Sequence, residues 1–200
     1  PLRLVGSEMC IRDRRAKAQS RFADYHDYLL SLEMTAEIGD FSPLYLQRIT
    51  QLTNKSNQFN LTTKRYTAEQ MEAVYNSDEY IRLYGKLYDK FGDNGVVAVT
   101  IGKTDSEDKG RLDIELWLMS CRVLKRDMEL AMLDSLVEQA KKRGIREIYG
   151  HYYPTAKNKM VAGLYESFGF EKISQDEEGN TAWRLLVEGY EDKNLSLIHI

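Results

Sequence analysis

From Tyr80 the chain stops repeating at helical spacing and begins to alternate. In Tyr80–Tyr88 the residues Ile81, Leu83, Gly85 and Leu87 fall on one face, and Tyr80, Arg82, Tyr84, Lys86 and Tyr88 on the other. Only an extended strand sends successive side chains to opposite faces, so this segment is a strand with one apolar and one amphipathic face. Val96–Ile101 follows as a continuous apolar run, and in Arg111–Ser120 the residues Leu112, Ile114, Leu116 and Leu118 again alternate with polar or aromatic partners. Asp93-Asn94-Gly95 is expected to turn the chain between the first two strands, and the polar loop Lys103–Gly110 separates the second from the third. Three consecutive strands with short connections make an antiparallel meander, on which the rest of the chain has to pack.

The flanking segments are helical until the period changes back. Arg15–Met34 carries Phe22, Tyr25, Leu29 and Leu32 as one stripe. Ser42-Pro43 is a cap residue followed by proline at the first helical position, opening a helix buried through Leu46, Ile49, Leu52 and Phe59. Thr67-Ala-Glu-Gln70 is a capping box. After the meander, Asp127–Arg143 places Leu130, Leu133, Val137 and Ala140 on one stripe, with Lys141-Lys142-Arg143 in the last turn and Gly144 as the stop. A strand at Ile145–Tyr153 that follows a crossover helix is expected to run parallel to Leu112–Ser120. A helix over Ala156–Phe168 and a hairpin of Phe170–Ser174 with Thr181–Val187 complete the pattern. The fold class is α/β in the α+β sense: a mixed, mainly antiparallel sheet with one parallel pair, preceded by helices.

Composition narrows the function classes. Of 200 residues 42% are hydrophobic, enough for a core and too many for a disordered chain. With 28 Lys+Arg against 31 Asp+Glu, no basic footprint for nucleic acid exists. No stretch approaches the roughly 20 apolar residues of a membrane span, and the first residues lack a signal-peptide core, so a cytoplasmic protein is expected. Two Cys and three scattered His carry neither a disulfide framework nor metal-ligand spacing. Val5–Arg14 (VGSEMCIRDR) and Leu195–Ile200 (LSLIHI) read like translated sequencing adapter. The expected division is therefore a non-native tail at 1–14, a linker helix at 15–41, one domain at 42–188 and a disordered, partly non-native tail at 189–200.

The element order, with Leu164-Tyr-Glu-Ser-Phe-Gly-Phe170 closing the last helix, resembles the GCN5-related N-acetyltransferase (GNAT) fold over about residues 60–188. The resemblance implies that Leu112–Ser120 and Ile145–Tyr153 run parallel and splay, with the pantetheine arm of an acyl thioester between them. It places the pyrophosphate on the N-terminus of the following helix, where free N–H groups attract anions. A narrower resemblance lies in Gln51-Leu-Thr-Asn-Lys-Ser-Asn-Gln-Phe-Asn-Leu-Thr-Thr-Lys-Arg-Tyr66, Phe91-Gly-Asp-Asn-Gly95, Ser120-Cys-Arg-Val-Leu124 and Tyr153-Pro-Thr-Ala-Lys-Asn158. Together these are similar to the C-terminal part of FkbH-like proteins of HAD-superfamily subfamily IIIC. That family implies a preceding HAD domain, which would hold Mg, and loading of a glyceryl unit from 1,3-bisphosphoglycerate onto an acyl carrier protein. The cofactor implied here is an acyl-CoA or a phosphopantetheine thioester, and the partners are the carrier protein and the HAD domain.

The resemblance assigns the pyrophosphate to the loop Arg122, Val123, Leu124, Lys125 and Arg126, although Lys125 and Asp127 stand where the family has small residues. Asp127 is expected to cap the N–H groups that a pyrophosphate would use. The family also implies coenzyme contact for Asn158 and protonation of the leaving thiolate for Tyr165. Tyr165 equally reads as a core aromatic in the stripe Val161–Phe168. Cys121 would need His151 as a base to act as a nucleophile, and otherwise reads as a structural thiol. Asn54, Asn57, Gln58 and Asn60 suit either a substrate, the HAD domain, or the backbone of an irregular turn. Three functions remain: an acyltransferase domain of an FkbH-like protein, a non-catalytic docking module for the carrier, and a free-standing acetyl-CoA-dependent N-acetyltransferase.

Overall fold

The computed structural model describes residues 20, 24–124, 126–194 and 198–199. Its elements in chain order are α1 (Tyr25–Ser31), β1 (Thr35–Asp40), α2 (Pro43–Lys55), β2 (Phe59–Asn60), α3 (Ala68–Tyr75), β3 (Tyr80–Asp89), β4 (Gly92–Thr104), β5 (Arg111–Met119), α4 (Met128–Lys142), β6 (Glu147–Tyr152), α5 (Leu164–Ser167), β7 (Glu171–Gln175), β8 (Thr181–Leu186) and β9 (Ile198–His199). The strands form one sheet in the order β7-β8-β6-β5-β4-β3-β1-β9, with β2 added to β5 off that path. Within the main domain β5 and β6 form the parallel pair, and the meander β3-β4-β5 is antiparallel. This is the mixed, mainly antiparallel sheet that the periodicity predicts.

Local chemistry explains the helix starts. Ser42 accepts a hydrogen bond from the Leu44 N–H and Pro43 occupies the first helical position of α2. Thr67 and Gln70 close a reciprocal capping box on α3. The sheet carries an apolar layer on each face. Ile49 and Leu52 of α2, with Met71 and Val74 of α3, pack on Val99, Ile101, Leu116 and Leu118. On the other face Leu133, Leu136 and Val137 of α4 pack with Leu112, Ile114, Trp117 and Ile148. Among the described residues no helix is long and apolar enough to cross a membrane.

Five expectations need correction. The linker helix over 15–41 is helical only at Tyr25–Ser31 among the described residues, and Thr35–Asp40 is a strand. It pairs antiparallel with β3, where Ala36 is buried and the Glu37 carboxylate accepts from the Tyr84 and Tyr88 hydroxyls. Completing the edge of β3 outweighs continuing a helix. The β3–β4 turn is Lys90-Phe91, because Asp89 pairs Gly92. Asp93-Asn94-Gly95 instead lies in an irregular stretch of β4, with Gly95 at φ +68° and the buried Asn94 donating to the Leu87 carbonyl. The helix expected over Ala156–Phe168 is reduced to a single 3-10 turn at Lys159–Val161 and the short α5, separated by Gly163. The tail from 189 is in part docked: Asp134 of α4 accepts from the Tyr190 hydroxyl and from the backbone N–H groups of Lys193 and Asn194. Leu112 and Ile114 do not share a face with Leu116 and Leu118, for a reason that belongs to the site. The tail at 1–14 and residues 195–197, with Cys10 and Phe22, lie outside the described residues.

Candidate functional site

β5 and β6 pair only at Arg111↔Glu147, Leu112↔Ile148 and Asp113↔Tyr149. Beyond that, β6 follows β8 to Tyr152 while β5 follows β4 to Met119, so the two strands part. The cause lies in β5. Ile101 faces Leu116 and Gly102 faces Ile114, which leaves Glu115 as the extra residue of a β-bulge. A bulge bends its strand and moves the following side chains to the opposite face. Leu112 and Ile114 therefore join the α4 layer, and Leu116 and Leu118 join the α2/α3 layer.

The gap so opened is bridged by the chain itself. β2 pairs antiparallel with the end of β5 at Phe59↔Met119 and Asn60↔Leu118. The Leu61 N–H then donates to the Trp117 carbonyl at 3.1 Å, and the Thr62 hydroxyl to the Glu115 carbonyl at 2.7 Å. From the other side the Tyr153 N–H donates to the Leu61 carbonyl at 2.9 Å, and Asn158 Nδ2 to the Asn60 carbonyl at 2.9 Å. Phe59, Asn60, Leu61 and Thr62 are all buried.

Asn158 is fully buried and directed to the chain. Its Oδ1 accepts from the Thr155 N–H at 2.7 Å and the Thr155 hydroxyl at 3.0 Å, and its Nδ2 also donates to the Tyr153 carbonyl. Tyr165 is likewise inside, its ring against Trp117, Phe170 and Trp183 and over Gly150 of β6. Its hydroxyl has no hydrogen-bond partner among the described residues. Burial pushes its ionisation well above the usual phenol range, and the His151 backbone opposes this without meeting the geometry of a bond. The indole Nε1 of Trp117, on the β5 side of the gap, is the same kind of buried, unbonded donor.

The predicted phosphate loop is a 3-10 turn, Cys121–Val123, capped by Ser120. Arg122 is exposed, Val123 is buried and Leu124 packs against the core. Arg126 Nη1 forms a buried ion pair with Asp89 Oδ2 at 2.9 Å, so its charge is directed inward. Lys125 lies outside the described residues. The expected capping by Asp127 is corrected: its backbone is left-handed at φ 59°, and its side chain makes no cap hydrogen bond. A side chain that caps a helix normally sits on an extended backbone, which the left-handed Asp127 lacks.

Cys121 is exposed, and His151 pairs elsewhere, with Nε2 3.1 Å from Asp113 Oδ1. Arg111 holds the same carboxylate through two bonds, at 2.7 and 2.8 Å. Burial raises the Asp113 pKa, but the hydrogen bonds from His151 and Arg111 outweigh it, and the carboxyl ends below its usual range. Beside it Glu115 takes the Tyr66 hydroxyl at 3.1 Å and the Lys64 ammonium. This cluster escaped the sequence reading, although the polar Asp113 and Glu115 inside the β5 pattern were its visible trace. An imidazole oriented by a carboxylate is suited to accepting a proton. Two of the asparagines before it serve the backbone, Asn54 donating to the Thr50 and Tyr66 carbonyls and Asn60 accepting from the Thr63 N–H, while Asn57 accepts from the Arg65 guanidinium.

No family model matches the chain. No curated protein matches it either. Solved structures do. The ribosomal-protein-S18-alanine N-acetyltransferase of Escherichia coli is similar with a TM-score of 0.57 at 13% identity, over 80% of this chain and 99% of that one. An acetyltransferase from Thermus thermophilus gives 0.59 at 12%, over 78% and 99%. A Salmonella typhimurium protein of the acetyltransferase class, solved with its cofactor acetyl-CoA, gives 0.57 at 14%, over 82% and 99%. The fold of this chain is thus the GNAT acetyltransferase fold.

Proposed function

We propose that this chain is an acyltransferase domain that takes its acyl group from a thioester at the parting of β5 and β6. The observation that carries the reading is that parting, together with two buried donors, Trp117 Nε1 on β5 and Tyr165 OH over Gly150 of β6, that have no hydrogen-bond partner among the described residues. Buried polar groups are as a rule bonded, and a carbonyl or sulfur acceptor would satisfy both. Arg122, exposed beyond the end of β5, is suited to a phosphate of the same ligand. The thioester supplies an activated acyl carbon. His151, hydrogen-bonded to Asp113, would take a proton from an attacking amine or thiol. With its own backbone in the gap, the chain as folded does not admit a pantetheine arm beside β5.

The narrower reading follows the FkbH-like motifs: the domain takes part in moving a glyceryl or acyl unit onto an acyl carrier protein, in concert with a HAD domain. A free-standing N-acetyltransferase using acetyl-CoA suits the fold equally. A different reading, a docking module without chemistry, is favoured by one observation, the filled gap. Calorimetric titration with acetyl-CoA and with an acylated carrier protein tests the proposal. Saturable binding of at least one is expected, followed by acyl transfer to an amine or thiol that falls about 100-fold in His151→Asn. No binding of either at millimolar ligand overturns it, and binding without transfer selects the docking module.

A further inference from the structure

The segment Phe59–Thr62 uses the very groups that an extended ligand in the gap would need. Its antiparallel pairing occupies the free edge of β5 at Leu118 and Met119, and the Leu61 N–H occupies the Trp117 carbonyl. A pantetheine arm is a chain of two amides, and it can bond to a strand edge only where that edge is unpaired. Ligand and segment therefore exclude one another.

Three further observations bear on how the segment is held. Among the described residues the β6 side grips it through two bonds, from the Tyr153 N–H and from Asn158. Asn158 has no spare capacity, since both amide donors and the carbonyl oxygen are used within the chain. The segment ends in strain: Thr63, a β-branched residue, sits at φ 56°, where its N–H is held by Asn60 Oδ1 at 2.8 Å. A β-branched residue in the left-handed region is an outlier that persists only where its surroundings impose it, and such residues gather at switches. Trp117 of β5 and Tyr165, packed over Gly150 of β6, each carry a buried donor with no hydrogen-bond partner among the described residues.

We propose that Phe59–Thr62 is a strap standing in the thioester slot in place of the ligand, latched by Asn158, and that a thioester binds only when the strap leaves. Release would free the edge of β5 and relax Thr63. This rests on the acyl-thioester reading and adds to it a closed state. It also reverses the sign expected of Asn158: replacing a coenzyme contact weakens binding, whereas removing a latch tightens it.

The test compares the acetyl-CoA affinity of the full chain with that of Thr62→Val and Asn158→Ala, together with hydrogen exchange at the Leu61 and Tyr153 amides. Thr62→Val keeps the side-chain volume and removes the bond to the Glu115 carbonyl, so it folds even if Asn158→Ala does not. Loss of one hydrogen bond from the closed state should tighten binding about fivefold. Acetyl-CoA should speed exchange at Leu61 and Tyr153 in the unmodified chain. Equal affinity of the unmodified chain and Thr62→Val, with Leu61 still protected at saturation, overturns the strap and leaves the acyl-thioester reading standing. Failure of the unmodified chain and both variants to bind either acetyl-CoA or an acylated carrier protein overturns that reading, and the strap with it.

Discussion

Tyr165 brings a hydroxyl into the core, where it has no hydrogen-bond partner among the described residues. Leaving a buried polar group unsatisfied costs about 1–3 kcal/mol, so the group is a liability to the fold unless a ligand uses it. Tyr165→Phe should therefore leave stability unchanged or raise it by about 1 kcal/mol, read from urea unfolding, and a loss of more than about 1 kcal/mol would mean that the hydroxyl serves the folded state. From the sequence its two roles were indistinguishable, because an acid and a core aromatic share one stripe position; depth alone separates them. Arg126 makes the same point from the other side. Its charge fits a phosphate loop on paper, but its partner Asp89 lies 37 residues earlier, and no local pattern joins them.

Strands and helices were legible wherever one periodicity ran uninterrupted. The capped starts of α2 and α3, the α4 stripe and the three meander strands stand close to where spacing puts them. Elements that depend on a neighbour were not. β1 exists because the edge of β3 needs a partner, and the bulge at Glu115 shows in the sequence only as the unbroken apolar run Leu116-Trp117-Leu118-Met119. β6 carries a comparable constraint at Gly150, where an added Cβ would stand 2.3 Å from Tyr165 Cε1. Gly150→Ala has to push that ring out of a packed cluster and should cost about 2–3 kcal/mol, measured as a lower thermal midpoint. An unchanged midpoint would show that Tyr165 has room to move.

At the scale of the molecule, the order of the strands from β3 to β8 and the parallel pairing of β5 with β6 could be read from the sequence. The position of residues 59–62 between β5 and β6 could not, because the bond that fixes it joins Asn158 to Asn60 across 98 positions. A contact that distant carries a loop-closure cost that is repaid only once β6 is in place. In refolding kinetics Asn158→Ala should accordingly speed unfolding and leave the folding rate nearly unchanged, a φ-value near zero, whereas a value near one would put the latch in the folding nucleus. The chain emerges with β5 complete and β6 still to come, and during that interval only the pairing of β2 shields the edge at Leu118 and Met119. An unpaired strand edge is also a template for another chain. The segment that keeps a ligand out of the finished molecule thus also guards the growing one, and a variant with a loosened strap would bind more readily and aggregate more readily for the same reason.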